Sequence, residues 1–233
     1  MKVSIIIPTY NEAEHIGRTI RYLAQNGNGD YVQEIIVADG GSTDDTVQIA
    51  IASGATVVRS KQKGRAAQMN CGAAIATGGV LYFLHADTIP PLHYTTLIIA
   101  AIKKGYKSGC FRLQFDHHHW FLKANCWFTR FNMNQFRFGD QSLFIEAAIF
   151  KRMGGFNESL IVMEDQEMAK RISRHCRFRV LPEAVTTSAR KYLLNGIYKT
   201  QAVYYLIYVM YQLGFSQQKL VNTYRAFIVQ DKL

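Results

Sequence analysis

A doubly wound α/β sheet is the fold class this sequence predicts, and three observations predict it. Short apolar runs, several of them β-branched, recur at residues 3–7, 34–38, 56–59 and 80–84. Segments with helical apolar spacing lie between them, as with Ile16, Ile20 and Leu23. Each run closes on a polar residue or on proline, so strand and helix alternate as a parallel sheet requires. With 48% hydrophobic and 12% aromatic residues over 233 positions, the chain can bury one large core, which excludes a disordered protein.

The first strand, residues 3–7, ends at Pro8, and Pro8-Thr9-Tyr10-Asn11-Glu12 turns into a helix. Pro8, Tyr10 and Glu12 thus sit at the carboxyl end of a strand, where α/β folds bind ligands. The second strand ends at Asp39, followed by Gly40-Gly41-Ser42-Thr43-Asp44-Asp45-Thr46. The glycines let the backbone turn and a ligand approach, and Ser42 with Asp45 reads as a capping box. A carboxylate at Asp39 suits a uracil N–H or sugar hydroxyls and does not suit phosphate. Neither a Gly-x-Gly-x-x-Gly nor a Walker pattern occurs, which removes the two commonest nucleotide readings.

After the third strand, Gly64 and Arg65 open a helix rich in small residues, and Lys63 makes this a cationic corner beside free amides. The fourth strand, residues 80–84, is apolar throughout and leads to His85 and Asp87, with Pro90-Pro91 stopping it. In extended chain, residues two apart share a face, so His85 and Asp87 can hold one divalent cation or flank one phosphate.

The second half continues with a helix at 92–103, a strand at 108–115 and a helix at 120–130 whose inward residues are expected to be Phe121, Ala124 and Phe128. His117, His118 and His119 are adjacent, cannot converge on one ion, and read as structural or exposed. In Phe138-Gly139-Asp140-Gln141-Ser142, Asp140 and Gln141 precede a buried run and can read sugar hydroxyls. Asp165 lies in the first turn of a helix carrying Met168 and Ile172, where helix amides are expected to keep it ionised and competent as a base. A strand at 178–181 and the segment Thr187-Ser188-Ala189-Arg190-Lys191-Tyr192 follow. The tyrosine-rich stretch 202–215 fits core packing, a membrane-surface contact or a dimer contact, and a further helix runs from Ser216 through Tyr224.

The formal charge of +10 favours anionic partners, and the scattered basic residues favour small phosphorylated ligands over nucleic acid. Four separated cysteines without a Cys-x-x-Cys pair are expected to be reduced. The start of the chain lacks a leader pattern and no run reaches membrane-spanning length, so the expected location is the cytoplasm or the inner membrane surface.

Taken together, Ile-Ile-Ile-Pro-Thr-Tyr-Asn-Glu, Val-Ala-Asp-Gly-Gly-Ser-Thr-Asp-Asp-Thr and Leu-His-Ala-Asp-Thr resemble the inverting family 2 glycosyltransferases. Gly-Asp-Gln and Thr-Ser-Ala-Arg resemble a small bacterial subgroup of them. The resemblance implies a GT-A fold, a mixed doubly wound sheet with flanking helices in a single domain. Its nucleotide-binding half would be residues 1–107, its acceptor-side half 108–199 and its C-terminal helices 200–233. It implies a UDP- or GDP-linked sugar donor, a divalent cation (Mn or Mg) and a hydroxyl acceptor. By position, Asp39 would meet the base, Arg65 the base or phosphates, and Asp87, with His85 in place of the family's first Asp, the metal. Asp165 would deprotonate the acceptor with Glu164 orienting or binding, Arg190 or Lys191 would face the leaving diphosphate, and Asp140 and Gln141 the donor sugar or acceptor. Two other classes stay open: a non-catalytic nucleotide-sugar-binding or membrane-associated scaffold, and a sugar-1-phosphate nucleotidyltransferase.

Overall fold

A computed structural model of the chain describes residues 1–133 and 139–229. Four parallel strands come first: β1 (Val3–Thr9), β2 (Val32–Asp39), β3 (Thr56–Arg59) and β4 (Val80–Phe83). Helices α1 (Ala13–Asn26), α2 (Thr46–Ala52) and α3 (Arg65–Ile75) connect them. The chain continues through β5 (Thr88–Ile89), α4 (Tyr94–Lys103), β6 (Ser108–Phe115), α5 (Trp120–Phe128), β7 (Leu143–Glu146) and α6 (Ala147–Arg152). It ends with α7 (Glu164–His175), β8 (Phe178–Thr187), α8 (Arg190–Asn195), α9 (Ile197–Gln212) and α10 (Gln217–Phe227). All eight strands described belong to one sheet in the order β3-β2-β1-β4-β7-β6-β8-β5, antiparallel where β7 meets β4 and β6 and where β5 meets β8.

Both faces of the sheet are covered, as side-chain alternation along β1 shows. Ile5 and Ile7 pack with Ile16, Ile20 and Leu23 of α1, while Ile6 faces Met69 of α3 and Met168 and Ile172 of α7. Each of these fully buried aliphatic side chains stabilises the fold by about 1.5–3 kcal/mol. A third, smaller cluster joins Val162 to Val203, Ile207, Leu220 and Tyr224, which fastens α9 and α10 beside the sheet. At Gly109 the sheet leaves no room for a side chain, because a Cβ would run into the Arg179 carbonyl and the Phe144 ring. Gly109→Ala is therefore expected to cost about 3 kcal/mol, read as a lower urea midpoint with an unchanged slope.

The structure corrects several local expectations. β1 runs on through Pro8 to Thr9, because its pairing with β4 has ended at Ile6 and Pro8 retains only its β2 neighbour, Ala38. Ser42 does not cap α2, which starts at Thr46; its hydroxyl accepts the Asn11 amide instead, at 2.9 Å. The chain after β4 is not extended: Ala86 and Asp87 form a turn in which the Thr88 amide donates to the His85 carbonyl. The inward face of α5 is Leu122, with Phe121, Asn125 and Cys126 half-buried, whereas Ala124 and Phe128 are exposed. β8 continues to Thr187, six residues past the expected end, since it pairs along the whole of β6. All four cysteines are free thiols.

Candidate active site

The carboxyl ends of β1 and β4, the amino ends of α3 and α7, and the helices α8 to α10 surround a cavity of about 260 Å³. Pro8, Tyr10, Glu12, Arg65, His85, Asp87, Asp140, Glu164, Asp165, Arg190 and Lys191 all line it, so most of the sequence-predicted residues converge. Asp39 and Gln141 do not line it. Asp39 is 1% exposed and accepts hydrogen bonds from the amides of Gly41 and Ser42, shaping the loop after β2. Gln141, also 1% exposed, donates to the carbonyls of Phe111 and Thr129 and braces the turn before β7. Phe138 lies outside the described residues.

Sheet register builds the first charged cluster. β5 pairs with the end of β8, with Thr88 opposite Thr187, and this brings the flanking residues Asp87 and Arg190 together. The Arg190 guanidinium stands 3.0 Å from Asp87 Oδ2 and donates to both Glu12 oxygens at 2.8 and 3.1 Å. Glu12 is held in turn by its own amide, which donates to Thr46 Oγ1 at 2.8 Å. One guanidinium therefore ties the β1 loop to the β4 turn.

Two helix starts make the second cluster. Gly64, at φ +112°, gives the chain a left-handed conformation just before α3, and Arg65 is the first helical residue. Its Nε lies 2.8 Å from Glu164 Oε1 at the start of α7, and Glu164 is only 1% exposed. The pair holds the Arg65 guanidinium firmly protonated, chiefly through the Glu164 charge. Arg65 thus meets the cavity through a carboxylate partner. Asp165, next along, has its carboxyl pushed up to about 7, first by burial and then by the Glu164 charge, with Arg65 opposing. Burial and a like charge outweigh the helix amides here, which overturns the expectation of a fully ionised group. His85 Nδ1 lies 4.0 Å from Asp140 Oδ1. Burial lowers the imidazole's pKa, so its neutral, lone-pair-bearing form prevails near pH 7.

Sequence reasoning missed three contributors. Gln68 forms part of the cavity wall and donates to the Thr9 and Ala38 carbonyls. Tyr192 and Tyr204 form part of an aromatic wall on the side of α8 and α9. No local pattern marks Gln68, which sits among small residues of α3; Tyr192 closed the Thr187–Tyr192 segment without a role of its own, and Tyr204 was visible only within a tyrosine-rich stretch.

A mixed, doubly wound sheet covered by helices on both faces, with two charged clusters at one set of strand ends, fits the GT-A fold. The profile of "Glycosyl transferase family 2" matches residues 4–153, and the chain belongs to that family. Glucosyl-3-phosphoglycerate synthase of Mycolicibacterium smegmatis is 34% identical over 97 residues, 38% of this chain and 32% of that protein. Glycosyltransferase AglE of Haloferax volcanii is 33% identical over 94 residues, 38% of this chain and 31% of its own length. The matched stretch thus spans about a third of these relatives. Among solved structures, S. aureus TarS 1-349 in complex with UDP superposes with a TM-score of 0.69 at 21% identity, covering 81% of this chain and 60% of that one. Mannosyltransferase PcManGT from Pyrobaculum calidifontis, in complex with GDP-Man and Mn2+, gives 0.69 at 19% identity, covering 88% and 62%. These two likenesses establish the fold.

Proposed function

We propose that this chain transfers a sugar from a UDP- or GDP-linked donor to an acceptor hydroxyl, in one displacement with inversion. The observation that carries the proposal is a carboxyl group of pKa near 7, Asp165, in the same cavity as the Glu12–Arg190–Asp87 cluster. A base poised near the working pH accepts a proton most effectively, and a guanidinium stabilises phosphate charge. The nucleotide complexes of the structural neighbours support the donor class.

In this reading Asp165 takes the proton of the acceptor hydroxyl while that oxygen bonds to the anomeric carbon. The anomeric C–O bond to the diphosphate breaks from the opposite face, and its electron pair leaves with the diphosphate. Glu164, fixed by Arg65, positions Asp165 and keeps its carboxyl raised. Arg190 and Lys191 receive the growing negative charge; Pro8, Tyr10 and Glu12 contact the nucleotide, and Asp140 the sugar or acceptor. The roles first expected for Asp39 and Gln141 pass to loop shaping. In this reading residues 1–107 supply the donor half and the acceptor-side half begins at 108, while the C-terminal helices start at Ile197, three residues before the expected boundary at 200.

Among the described residues no group of three or more His, Cys, Asp or Glu is placed to hold a metal ion alone. The neutral His85 imidazole and the Asp87 carboxylate face one cavity. An imidazole with a carboxylate suits a Mn ion completed by diphosphate oxygens and water, whereas Mg, which takes oxygen ligands, would rest on Asp87, so the residues fit a shared site for Mn better than for Mg. Such an ion supplies Lewis-acid charge to the leaving diphosphate when bound.

The test is turnover of UDP- and GDP-hexoses with product stereochemistry followed by NMR. The proposal expects one donor to be consumed and the anomeric configuration of its sugar to invert. Retention would contradict the single displacement, and nucleotide binding without any consumption of donor would favour a scaffold.

A further inference from the structure

We infer that the acceptor is an alcohol on a lipid body, taken up from an anionic bilayer surface through the aromatic end of the cavity. This rests on the transferase reading above and names its second substrate class.

Away from the charged clusters the cavity wall is largely apolar and aromatic, with Leu113 and Phe115 of β6, Val162, Tyr192, Tyr204 and Ile207 set among Asn125, Thr129 and Gln201. The rings interlock, with Phe115 edge-on to Tyr192 at 5.1 Å, Tyr192 edge-on to Tyr204 at 5.8 Å, and Tyr204 stacked on Tyr224 at 6.3 Å. The polar atoms of this wall are used by one another. Tyr192 OH donates to Gln201 Oε1 at 2.8 Å, and Thr129 Oγ1 donates to the Cys126 carbonyl while accepting the Leu113 amide. A sugar or another many-hydroxyl acceptor would meet few groups ready to bond it, whereas a hydrocarbon body loses nothing there.

Asn125 of α5 and Tyr205 of α9 both line the cavity and meet through a hydrogen bond from Tyr205 OH to Asn125 Oδ1 at 3.4 Å, and Tyr205 is 43% exposed. Around that point the two helices present Trp120, Trp127, Tyr198, Leu206 and Val209 to solvent, at 40% exposure or more. α9 is apolar on both sides: Val203 and Ile207 face inward, Leu206 and Val209 outward, and Lys199 is its single charged residue. A helix of that kind needs an apolar neighbour on its outer side. Charge selects the neighbour. Residues 117–133 and 197–229 contain no Asp or Glu and hold five Lys and Arg: Lys123, Arg130, Lys199, Lys219 and Arg225. Arg130 lies over the Trp127 ring at 4.4 Å. Tryptophan beside basic side chains matches the interface of an anionic bilayer. No described helix is long and apolar enough to cross the membrane, so the contact lies along its surface.

The test uses the whole chain with phosphatidylglycerol vesicles, phosphatidylcholine vesicles, and dodecanol dissolved in either as probe alcohol. The chain is expected to sediment with phosphatidylglycerol and about tenfold less with phosphatidylcholine. Nucleoside diphosphate release from its donor should be about tenfold faster with dodecanol-doped phosphatidylglycerol than with glycerol or methyl glucoside. Leu206→Glu with Val209→Glu, both at exposed positions, should reduce sedimentation by about tenfold at unchanged nucleotide affinity. Faster release with glycerol or methyl glucoside than with dodecanol would overturn the inference. So would a folded chain that ignores both vesicles, or a double variant that dissociates a dimer without changing vesicle binding. Vesicle binding is read without donor, so a chain that binds vesicles but no nucleotide defeats the transferase reading and leaves the surface assignment standing.

Discussion

Asp165→Asn is expected to lower sugar transfer by about 100- to 10,000-fold, the usual contribution of a positioned base, while donor affinity stays within twofold or so of the original. The amide keeps the size of the side chain but cannot take a proton. In the unaltered protein transfer should rise with pH and reach half its maximum near pH 7, where the Asp165 carboxyl ionises. The variant's residual rate should lose that inflection. An undiminished rate would remove Asp165 from the base role.

The same substitution should make the protein more stable above pH 7. The Asp165 carboxyl has a folded-state pKa near 7, raised by burial above its unfolded value of about 4. Its contribution to stability is therefore complete below pH 4 or so, is lost as pH rises through 7, and leaves an ionised buried carboxylate beyond that. Asparagine carries no such charge. Thermal unfolding should show a higher Tm for the variant at pH 8 and little difference at pH 4, a trade of stability for activity found at many active sites.

Arg65→Met is expected to cost about 3 kcal/mol, the lower end for breaking a buried ion pair. The lower end applies because Arg65 is 38% exposed, whereas Glu164 is 1% exposed and neither of its oxygens accepts an aligned hydrogen bond among the described residues, so the ion pair is its compensation. Its carboxylate would be left in place without a counter-charge. Against a domain stability of about 5–15 kcal/mol that loss is large, and urea denaturation would show it directly. Adding Glu164→Gln should recover most of it by removing the stranded charge. Because Arg65 opposes the upward shift at Asp165, the single variant should also move the activity inflection above 7. A midpoint unchanged in the single variant would mean that the pair contributes nothing.

What the sequence made legible follows the range of the interactions involved. Strand ends are local features: β3 and β6 fall within the expected bounds, and His85, Asp87 and the start of α7 line one cavity, although a turn stands at 86–87 where extended chain was expected. Contacts between distant residues were not legible. Glu12 and Arg190 are 178 positions apart and meet only because β5 pairs with the end of β8. Ser42 matched a helix-cap pattern, yet Asn11, 31 positions away, takes its hydroxyl, and Asp44 instead accepts the Thr46 amide. The face of α5 was misplaced because Trp120, Phe121, Leu122, Cys126, Trp127 and Phe128 make it apolar nearly all round, and periodicity then names no side. Asp39 and Gln141 looked like ligand contacts by type and position, and their carboxylate and amide instead satisfy nearby backbone groups. The upward shift at Asp165 needed the knowledge that Glu164 and the sheet enclose it, which helix position alone does not reveal.

The central claim, a nucleoside diphosphate sugar site at the ends of β1 and β4, is tested most directly by calorimetric titration. UDP and GDP are titrated, with and without Mn or Mg, into the protein and into Asp87→Ala. The account predicts that one nucleotide binds, more tightly with the ion, and that the substitution removes the ion's effect. A folded protein that binds neither nucleotide would contradict it and reduce the family membership to a shared fold.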